Sequence, residues 1–467
     1  MYVQETTTRS TIARLRSVAT VLMLCLAACR DFVEPALPLA TIRSVATDTS
    51  ADGDIFLHVI LSRPATLEVT YWDDPAHRLL LRVPEFGQEG IVALPELHAG
   101  RAYRYELAAL NARGDRGPVE GGDFGAPELP DDLRQVNITA TGSASAPLVM
   151  LEISGAFQGF VAIDGAGIPV WKWRTQGTPQ GFTRRANGNF VFIDAGFGLF
   201  EVTPGGQVVH QLDPLPGALR VPHHDVVATP ANTVLFIAKD QRATLAGDAL
   251  WEWNPETGAV TQRFTVFDFY DPAVDWGARS VPYDWVHANS LALGDHGNVI
   301  LSLNWLDQVI SIAPDWKSIE WKAGGRASTF AFDSDAAFQG QHTAAVLADG
   351  HLLVLDNGRE RADPAHYSRG LEVSLDQRTG TAHQVWSFRP SPDIYAPYVG
   401  AARRFANGNT LVFFGLPNGF SGGATGPVAG YEVTRAGTIV WTLTVGNVKS
   451  VYRATPLASI AGEVTVP

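Results

Sequence analysis

The stretch QHTAAVLADGHLLVLDNG, residues 341–358, predicts a β-hairpin, because two apolar runs flank an Asp-Gly turn. Two further stretches have the same plan: HHDVVATPANTVLFIA at residues 223–238 and HANSLALGDHGNVILSLN at residues 287–304. Each hairpin begins with a histidine, although most of its other residues are typical of a buried strand. The recurrence of this unit indicates a repeat architecture built from strands.

Blocks of this kind follow one another from about residue 145 to the end of the sequence. A block contains a turn, an apolar strand and a strand rich in Trp or Phe, which is typical of a four-stranded meander. The turns are separated by 45, 65, 53 and 58 residues, read from Asn187, Asn232, Gly297, Gly350 and Gly408. These intervals are near the length of propeller blades with loop insertions. Residues 145–467 are therefore predicted to form a six-bladed β-propeller in an all-β protein.

The histidines of three successive blades occupy equivalent positions. His224, His287 and His342 stand at the start of the innermost strand, where equivalent residues lie on one ring around the propeller axis. We therefore expect the three imidazoles to converge on one mouth of the central channel. Hairpin pairing brings further side chains to the same level, namely Lys239 or Asp240, Asn304 or Trp305, and Asn357, while other groups near Gln180 and Tyr398 complete the ring.

Residues 38–127 differ in character from the repeats. Short alternating runs such as DIFLHVILS and ATLEVTYW, with turn residues at regular intervals, are typical of a small β-sandwich. The run LHAGRAYRYELAALNARGDRG resembles the F–G strand region of fibronectin type III domains. The proline-rich stretch GAPELPDDL marks a boundary, and residues 128–144 are expected to be a linker.

The first 29 residues have the pattern of a secretory signal. Three arginines precede the apolar run SVATVLMLCLAAC, which is too short for a comfortable transmembrane helix. The run ends in LAAC, which resembles a bacterial lipobox, so we expect cleavage before Cys29 and lipidation of its sulfur. The alternative is that both cysteines are ordinary residues of the signal core. In the first interpretation residues 30–37 are a tether, and the chain is anchored to a membrane of the bacterial cell envelope and faces the periplasm.

Composition limits the partners. The formal net charge is −13, and the sequence has no block of like charges, so it lacks the basic footprint of nucleic-acid binding. A single histidine at such a mouth is more often a structural hydrogen-bonding residue than a catalyst. Three in register favour a functional site, and a histidine-ligated metal enzyme is the next alternative, because three histidines are a familiar catalytic zinc set.

The motifs HHDVVATP, HANS, ILSLNWLDQVISI with IEWKAGG, QHTAAVLADGHLLVLDNG, SRGLEVSLDQRTGTAHQVWSF and VYRATPL resemble those of the bacterial arylsulfate sulfotransferases, over residues 145–457. That resemblance implies a six-bladed propeller which transfers a sulfuryl group from a phenolic sulfate to a phenol, with no nucleotide donor and no cofactor. It also implies that His342 is the sulfated histidine. The histidines around the sulfuryl group then correspond to His287 and to the pair His223–His224, of which His224 is favoured, and the motif asparagine corresponds to Asn289.

One position departs from the family pattern, because the family's arginine is here Asn304. Sulfuryl transfer, like phosphoryl transfer, depends on stabilising negative oxygens, so losing a positioned cation is costly. We expect Lys239 or an arginine of NGRERADPAHYSRG to fill the space, or else the chain is a weakened propeller that acts as a small-molecule binding module. A quinone-dependent sugar dehydrogenase is disfavoured because the sequence lacks the expected calcium site and basic set.

Overall fold

A computed structural model describes residues 37–215, 221–359, 361, 366–417, 419, 428–461 and 464–465. The expected signal segment, Cys29 and nearly all of the expected tether lie outside these residues. The described chain is all-β: 34 strands are joined by turns, and helix is confined to one four-residue α-helix and two 3-10 turns. No helix in this part of the chain is long and apolar enough to cross a membrane.

The N-terminal part consists of two facing antiparallel sheets. The first has the order β1-β2-β5, with β1 (Ile42–Thr49), β2 (Ile55–Leu61) and β5 (Glu89–Leu94). The second has the order β34-β4-β3-β6-β7, with β3 (Ala65–Asp74), β4 (His77–Phe86), β6 (Ala102–Leu110), β7 (Arg116–Gly125) and the late strand β34 (Val464–Thr465). In β2 every second residue is buried, and these side chains join those of the other sheet in one apolar core.

The stretch expected to be a linker contains regular structure. Helix α1 (Asp131–Arg134) is followed by β8 (Asn137–Gly142). Strand β8 pairs antiparallel with β32 (Ile439–Gly446), which lies about 300 residues later in the chain. Because its partner is so distant in sequence, β8 belongs to the repeated sheets and not to a free connection.

The remaining described strands form six further sheets, which are antiparallel except for one short edge strand. The first combines β9 (Leu148–Gly155), β10 (Gly159–Asp164) and β11 (Pro169–Arg174) with the late β33 (Val448–Leu457). The next two contain β12 (Pro179–Arg184), β13 (Phe190–Asp194), β14 (Gly198–Val202) and β15 (Val208–Leu212), then β16 (Val226–Ala228), β17 (Val234–Arg242), β18 (Leu245–Trp253) and β19 (Val260–Thr265).

The fourth sheet contains β20 (Ala288–Leu293), β21 (Val299–Leu303), β22 (Gln308–Ile312) and β23 (Ile319–Gly324). The fifth contains β25 (His342–Val346), β26 (Leu352–Asp356), β27 (Arg369–Asp376) and β28 (Thr381–Phe388), with the short parallel β24 (Ala331–Phe332) at its edge. The last contains β29 (Ala401–Arg404), β30 (Thr410–Phe414), β31 (Val428–Val433), β32 and β8.

The sheets form a ring. Each sheet has one inner strand, and the six inner strands contact one another in the order β12, β16, β20, β25, β29 and β33. The cycle is closed because β33 contacts β12. The second strands β13, β21, β26 and β30 are buried along their whole length, because each sheet is covered by a neighbour on both faces. This explains why FVFID, VILSL, LLVLD and TLVFF read as nearly continuous apolar runs. The ring brings the starts of the inner strands together.

Candidate functional site

A cavity of about 690 Å³ opens where the inner strands begin. This volume lies within the range of small-molecule sites. All six sheets contribute to its wall, which includes Ser154, Gln180, His224, His287, Trp305, His342, Tyr398 and Tyr452. The site is therefore a property of the closed ring and not of any one hairpin.

The inner strands bend at this level. All six have a residue with left-handed φ near their start, namely Gly181 (46°), His224 (63°), His287 (50°), Thr343 (49°), Val399 (53°) and Asn447 (58°). For a non-glycine residue this conformation costs about 1–2 kcal/mol. Such strained positions cluster at functional sites, and here each one lines the cavity or is next in sequence to a residue that does.

His342 has a defined tautomer, because its partner is held in one orientation. Its Nδ1 lies 2.8 Å from Asn357 Oδ1. The amide nitrogen of Asn357 donates to the carbonyl oxygens of Ala396 at 2.6 Å and Val399 at 3.0 Å, which fixes Oδ1 as an acceptor. We therefore assign the proton to Nδ1 of His342. Nε2 keeps its lone pair and is the ring nitrogen left for the cavity.

His342 is also neutral. Burial lowers its pKa to about 3, the hydrogen bond to Asn357 opposes the shift, and the positive charge of Arg453 adds to it. With 5% of its surface exposed, the ring is shielded from bulk water. A neutral, desolvated imidazole nitrogen with a free lone pair is suited to nucleophilic attack.

Two asparagines position the residue before His342. Asn289 Nδ2 donates to the carbonyl oxygen of Gln341 at 2.8 Å, and Asn304 Nδ2 donates to the same oxygen at 2.9 Å. Both side chains are buried, and Asn304 also lines the cavity. Together they fix the backbone from which the His342 ring extends.

His287 is paired with a carboxylate. Its Nδ1 lies 2.5 Å from Asp284 Oδ2, and its ring stacks on Trp305 with a centroid distance of 4.8 Å and an interplanar angle of 5°. A carboxylate at Nδ1 holds the ring in one orientation and stabilises the imidazolium form when Nε2 takes a proton. His287 is thus equipped to accept and return a proton at the cavity.

Lys239 joins two buried carboxylates. Its Nζ lies 2.7 Å from Asp248 Oδ1 and also contacts the carboxylate of Asp284. Burial by itself would lower the pKa of Lys239, but the two carboxylates more than offset this effect, and the pKa is raised. The lysine is therefore charged, and its charge is matched by its neighbours.

His224 faces the cavity, and His223 lies behind it. The two Nδ1 atoms are 2.7 Å apart, so one ring donates and the other accepts. His223 Nε2 lies 3.2 Å from Asp248 Oδ1 in a contact poorly aligned for a hydrogen bond. This electrostatic contact favours a proton on Nε2 of His223, which makes His224 Nδ1 the donor. Burial and the neighbouring His287 hold the pKa of His224 well below its usual range.

Charged groups also occupy the interior beneath the site. Arg453 Nη1 lies 2.7 Å from Asp225 Oδ1, and Nη2 donates to the carbonyl oxygen of Asn289 at 2.7 Å. Glu152 accepts from the backbone nitrogen of Gly181, and burial raises its pKa to about 7. Since Arg453 belongs to β33 and Asp225 precedes β16, this ion pair joins the late strand to the third sheet.

Comparison with known proteins identifies the family. The family model described as arylsulfotransferase (ASST) matches residues 135–453, more than half of the chain. The chain belongs to the arylsulfotransferase family. The matched region begins just before β8 and ends within β33, so it contains the six sheets and the cavity.

Arylsulfate sulfotransferase AssT of Escherichia coli O6:H1 (strain CFT073) is 28% identical over 316 residues, which cover 51% of this chain and 52% of that protein. The chain thus matches about half the length of this arylsulfotransferase. Among solved structures, a protein of unknown function from Bacteroides caccae has a TM-score of 0.46 and 14% identity, covering 67% of this chain and 100% of its own. A virginiamycin B lyase from Staphylococcus aureus has a TM-score of 0.37 and 13% identity, covering 74% of this chain and 91% of its own.

The residues that the sequence indicated do not all lie in the arylsulfotransferase cavity. The cavity is lined by His224, His287, Asn304 and His342. His223 and Asn289 lie behind them and contact them directly or through Gln341. Lys239, expected as a substitute cation, lies in the ion-pair network instead.

Several site residues were not indicated by the sequence. Asp284 stands three residues before His287, and Asp248 faces Lys239 in the β17–β18 register. Tyr452 and Arg453 come from β33 at the far end of the chain; they lie in the motif VYRATPL, which indicated the family but no role for either residue. No local pattern connects them to the histidine hairpins.

Two groups of side chains in the described ranges bring three possible metal-ligating atoms within 4.8 Å of one another: Glu201, His210 and Glu256, and Asp349, His351 and Glu372. Neither group includes a histidine of the arylsulfotransferase cavity.

Proposed function

We propose that this chain transfers a sulfuryl group from a phenolic sulfate ester to a phenol, through a sulfohistidine at His342. The observation that carries the proposal is the neutral His342 ring, with Nδ1 bonded to Asn357 and Nε2 left for a cavity of about 690 Å³. The family membership supports the reaction class. The proposed partners are small phenolic sulfates and phenols.

In the first half-reaction, the lone pair of His342 Nε2 forms a bond to sulfur as the bond between sulfur and the phenolic oxygen breaks. The departing phenolate takes a proton from the imidazolium form of His287, which Asp284 stabilises. The His342 ring becomes an N-sulfo imidazolium, whose Nδ1 proton still donates to Asn357. No electron is gained or lost.

The second half-reaction reverses these steps with a different phenol. Neutral His287 takes the hydroxyl proton of the acceptor, the phenol oxygen bonds to sulfur, and the bond from sulfur to Nε2 breaks. His342 returns to its neutral form and His287 to its imidazolium form. Aromatic faces of Trp305, Tyr398 and Tyr452 line the cavity and offer surfaces for the two phenolic rings.

We further propose that the repeated sheets form a six-bladed β-propeller and that the N-terminal part is a fibronectin type III-like sandwich. The closed cycle of six inner strands supports the first statement. The two sheet orders β1-β2-β5 and β4-β3-β6-β7 support the second, since they divide seven strands into packed sheets of three and four.

The test is a donor assay on purified protein with p-nitrophenyl sulfate and phenol. We expect nitrophenolate and phenyl sulfate to form together, and protein treated with donor alone to gain the mass of one sulfuryl group on residues 327–359. His342→Ala should abolish both signals. His351→Ala is the matched control, because His351 lies on the same peptide but contacts Glu372 outside the cavity.

The neighbouring histidines should behave differently. His224→Asn and His287→Asn keep a residue type that tolerates left-handed φ. They should reduce turnover by on the order of 10²–10⁴-fold without removing the covalent path. A wild-type protein that binds phenols without turnover would instead support a binding module. Turnover that survives in His342→Ala and is lost on chelation would support a metal enzyme.

A further inference from the structure

We infer that Arg359 supplies the positive charge that Asn304 cannot, and that it binds the sulfuryl oxygens opposite His342. This inference rests on the proposed function. The reaction moves a group whose oxygens carry negative charge, so a cation in the cavity is needed to stabilise them. At the position of the family arginine, this chain has a neutral amide that is engaged with the carbonyl oxygen of Gln341.

Lys239 does not fill this role. It lies between Asp248 and Asp284, and it is not among the residues of the cavity wall. Two carboxylates already match its single charge. Moving Lys239 toward a sulfuryl group would leave both carboxylates buried without their partner, which is strongly unfavourable.

Arg359 lies beside the vacated position. The side chains of Arg359 and Asn304 both lie against Gly340. A Cβ atom placed on this glycine would be 3.0 Å from Arg359 Cβ and 4.0 Å from Asn304 Nδ2. Arg359 and Asn304 both line the cavity together with His342. This chain thus has an arginine on the loop after β26, near the place after β21 where it has Asn304.

Tyr398 holds the Arg359 side chain. Arg359 Nη2 donates to the Tyr398 hydroxyl at 2.6 Å, and the guanidinium carbon lies 4.1 Å from the centre of the Tyr398 ring. A guanidinium has five N–H donors in a planar fork, so this bond leaves donors that match the oxygens of a sulfuryl group. Arg359 also follows Asn357 by two residues, so one short segment both orients the nucleophile and provides the cation.

Lys449 is the other lysine or arginine of the cavity wall in the described ranges. It is exposed, whereas Arg359 is half-buried. A desolvated charge acts more strongly on a developing negative charge than one surrounded by water. Arg359 is therefore the better placed of the two.

The test compares Arg359→Gln, Arg359→Lys and the double variant Arg359→Gln with Asn304→Arg. We expect Arg359→Gln to lower kcat/KM for p-nitrophenyl sulfate by on the order of 10²–10³-fold, as for loss of one oxyanion donor. Arg359→Lys should lie between it and the wild type. The double variant should regain at least about tenfold, because it restores a guanidinium beside the same site. Asn304→Arg alone should slow the enzyme, since it adds bulk and removes the bond to Gln341.

The control is Arg378→Gln, because Arg378 is 85% exposed and pairs with Asp376 on the surface. Calorimetric binding of inorganic sulfate gives a readout that does not need turnover: the wild type should bind it and Arg359→Gln should lose at least about tenfold in affinity, which is the loss of one charge-assisted contact. A wild-type protein that does not turn over p-nitrophenyl sulfate would overturn the proposed function. The sulfate titration would still test the role of Arg359 in that case. The inference would be overturned if Arg359→Gln kept the kcat/KM and the sulfate affinity of the wild type. It would also be overturned if the double variant had no higher kcat/KM than Arg359→Gln.

Discussion

His342 and His287 line the same cavity but have different hydrogen-bond partners, and these partners match the roles proposed for the two rings. His342 bonds to the neutral amide of Asn357, which fixes a tautomer without stabilising the protonated ring as a charge would. His287 bonds to the carboxylate of Asp284, which does stabilise the protonated ring. A nucleophile must be unprotonated, whereas a proton carrier must hold and release a proton. The partner of each ring thus matches its proposed task.

Exchanging the amide for a carboxylate should alter the pH dependence. In Asn357→Asp, a negative charge beside Nδ1 should raise the pKa of His342 from about 3 toward its ordinary value. Because protonated His342 cannot attack sulfur, kcat/KM should fall at a higher pH than in the wild type as the pH is lowered. Steady-state rates from pH 4 to pH 9 test this prediction, and an unchanged acidic limb would contradict it.

Strand β33 is remote in sequence from the histidine hairpins, yet it contributes residues to the cavity and to the ion pair beneath it. It completes the first sheet beside β9, contributes Tyr452 to the cavity and brings Arg453 against Asp225. Arg453 is also close enough to lower the pKa of His342. A strand that closes the ring thereby helps to keep the nucleophile neutral.

Removing that arginine should destabilise the ring. Arg453→Met leaves Asp225 buried without its cation and should lower the free energy of unfolding by about 3–5 kcal/mol. Urea denaturation measures the change. Arg378→Met on the surface should stay within about 0.5 kcal/mol of the wild type. Adding Asp225→Asn to Arg453→Met should recover part of the loss, and additive losses would show that the two charges do not interact.

The hairpins were predictable because their information is local. The turn and apolar runs of residues 341–358 lie within one short segment, and the structure has strands β25 and β26 there. Hairpin register also placed Asn357 at the level of His342, and the structure bonds them. The left-handed φ of His224 and His287 had no such signal, since glycine is the residue that most clearly indicates this conformation in a sequence. The sequence around β8 did not predict its pairing with β32 either, because the two strands are about 300 residues apart.

At the scale of the whole molecule, the sandwich and the ring are joined by polar contacts. Leu97 donates its backbone N–H to the carbonyl oxygen of Val170 at 3.0 Å, and His98 Nε2 lies 3.1 Å from Asp164 Oδ2. The hydrogen bond to Asp164 raises the pKa of His98. Strand β34 adds a second connection, because it pairs with β4 of the sandwich after the ring has closed.

The location of the molecule is a separate prediction, which rests on the LAAC motif. Cys29→Ser should release the protein from the membrane fraction or leave it unprocessed, because the sulfur that would carry the lipid is gone. Cys25→Ser is the matched control, since it removes the other cysteine and keeps the motif. Cell fractionation with immunoblotting measures both. Processed, membrane-bound Cys29→Ser protein would contradict the lipid anchor.

The position of β33 after the other inner strands has a consequence for folding. A nascent chain that has emerged as far as β32 contains all of the site histidines, yet its cavity lacks Tyr452 and one inner strand. The cavity is therefore complete only when β33 has paired with β9 and closed the ring. For the same reason, an internal deletion of β33 should abolish activity while every site histidine remained in the chain.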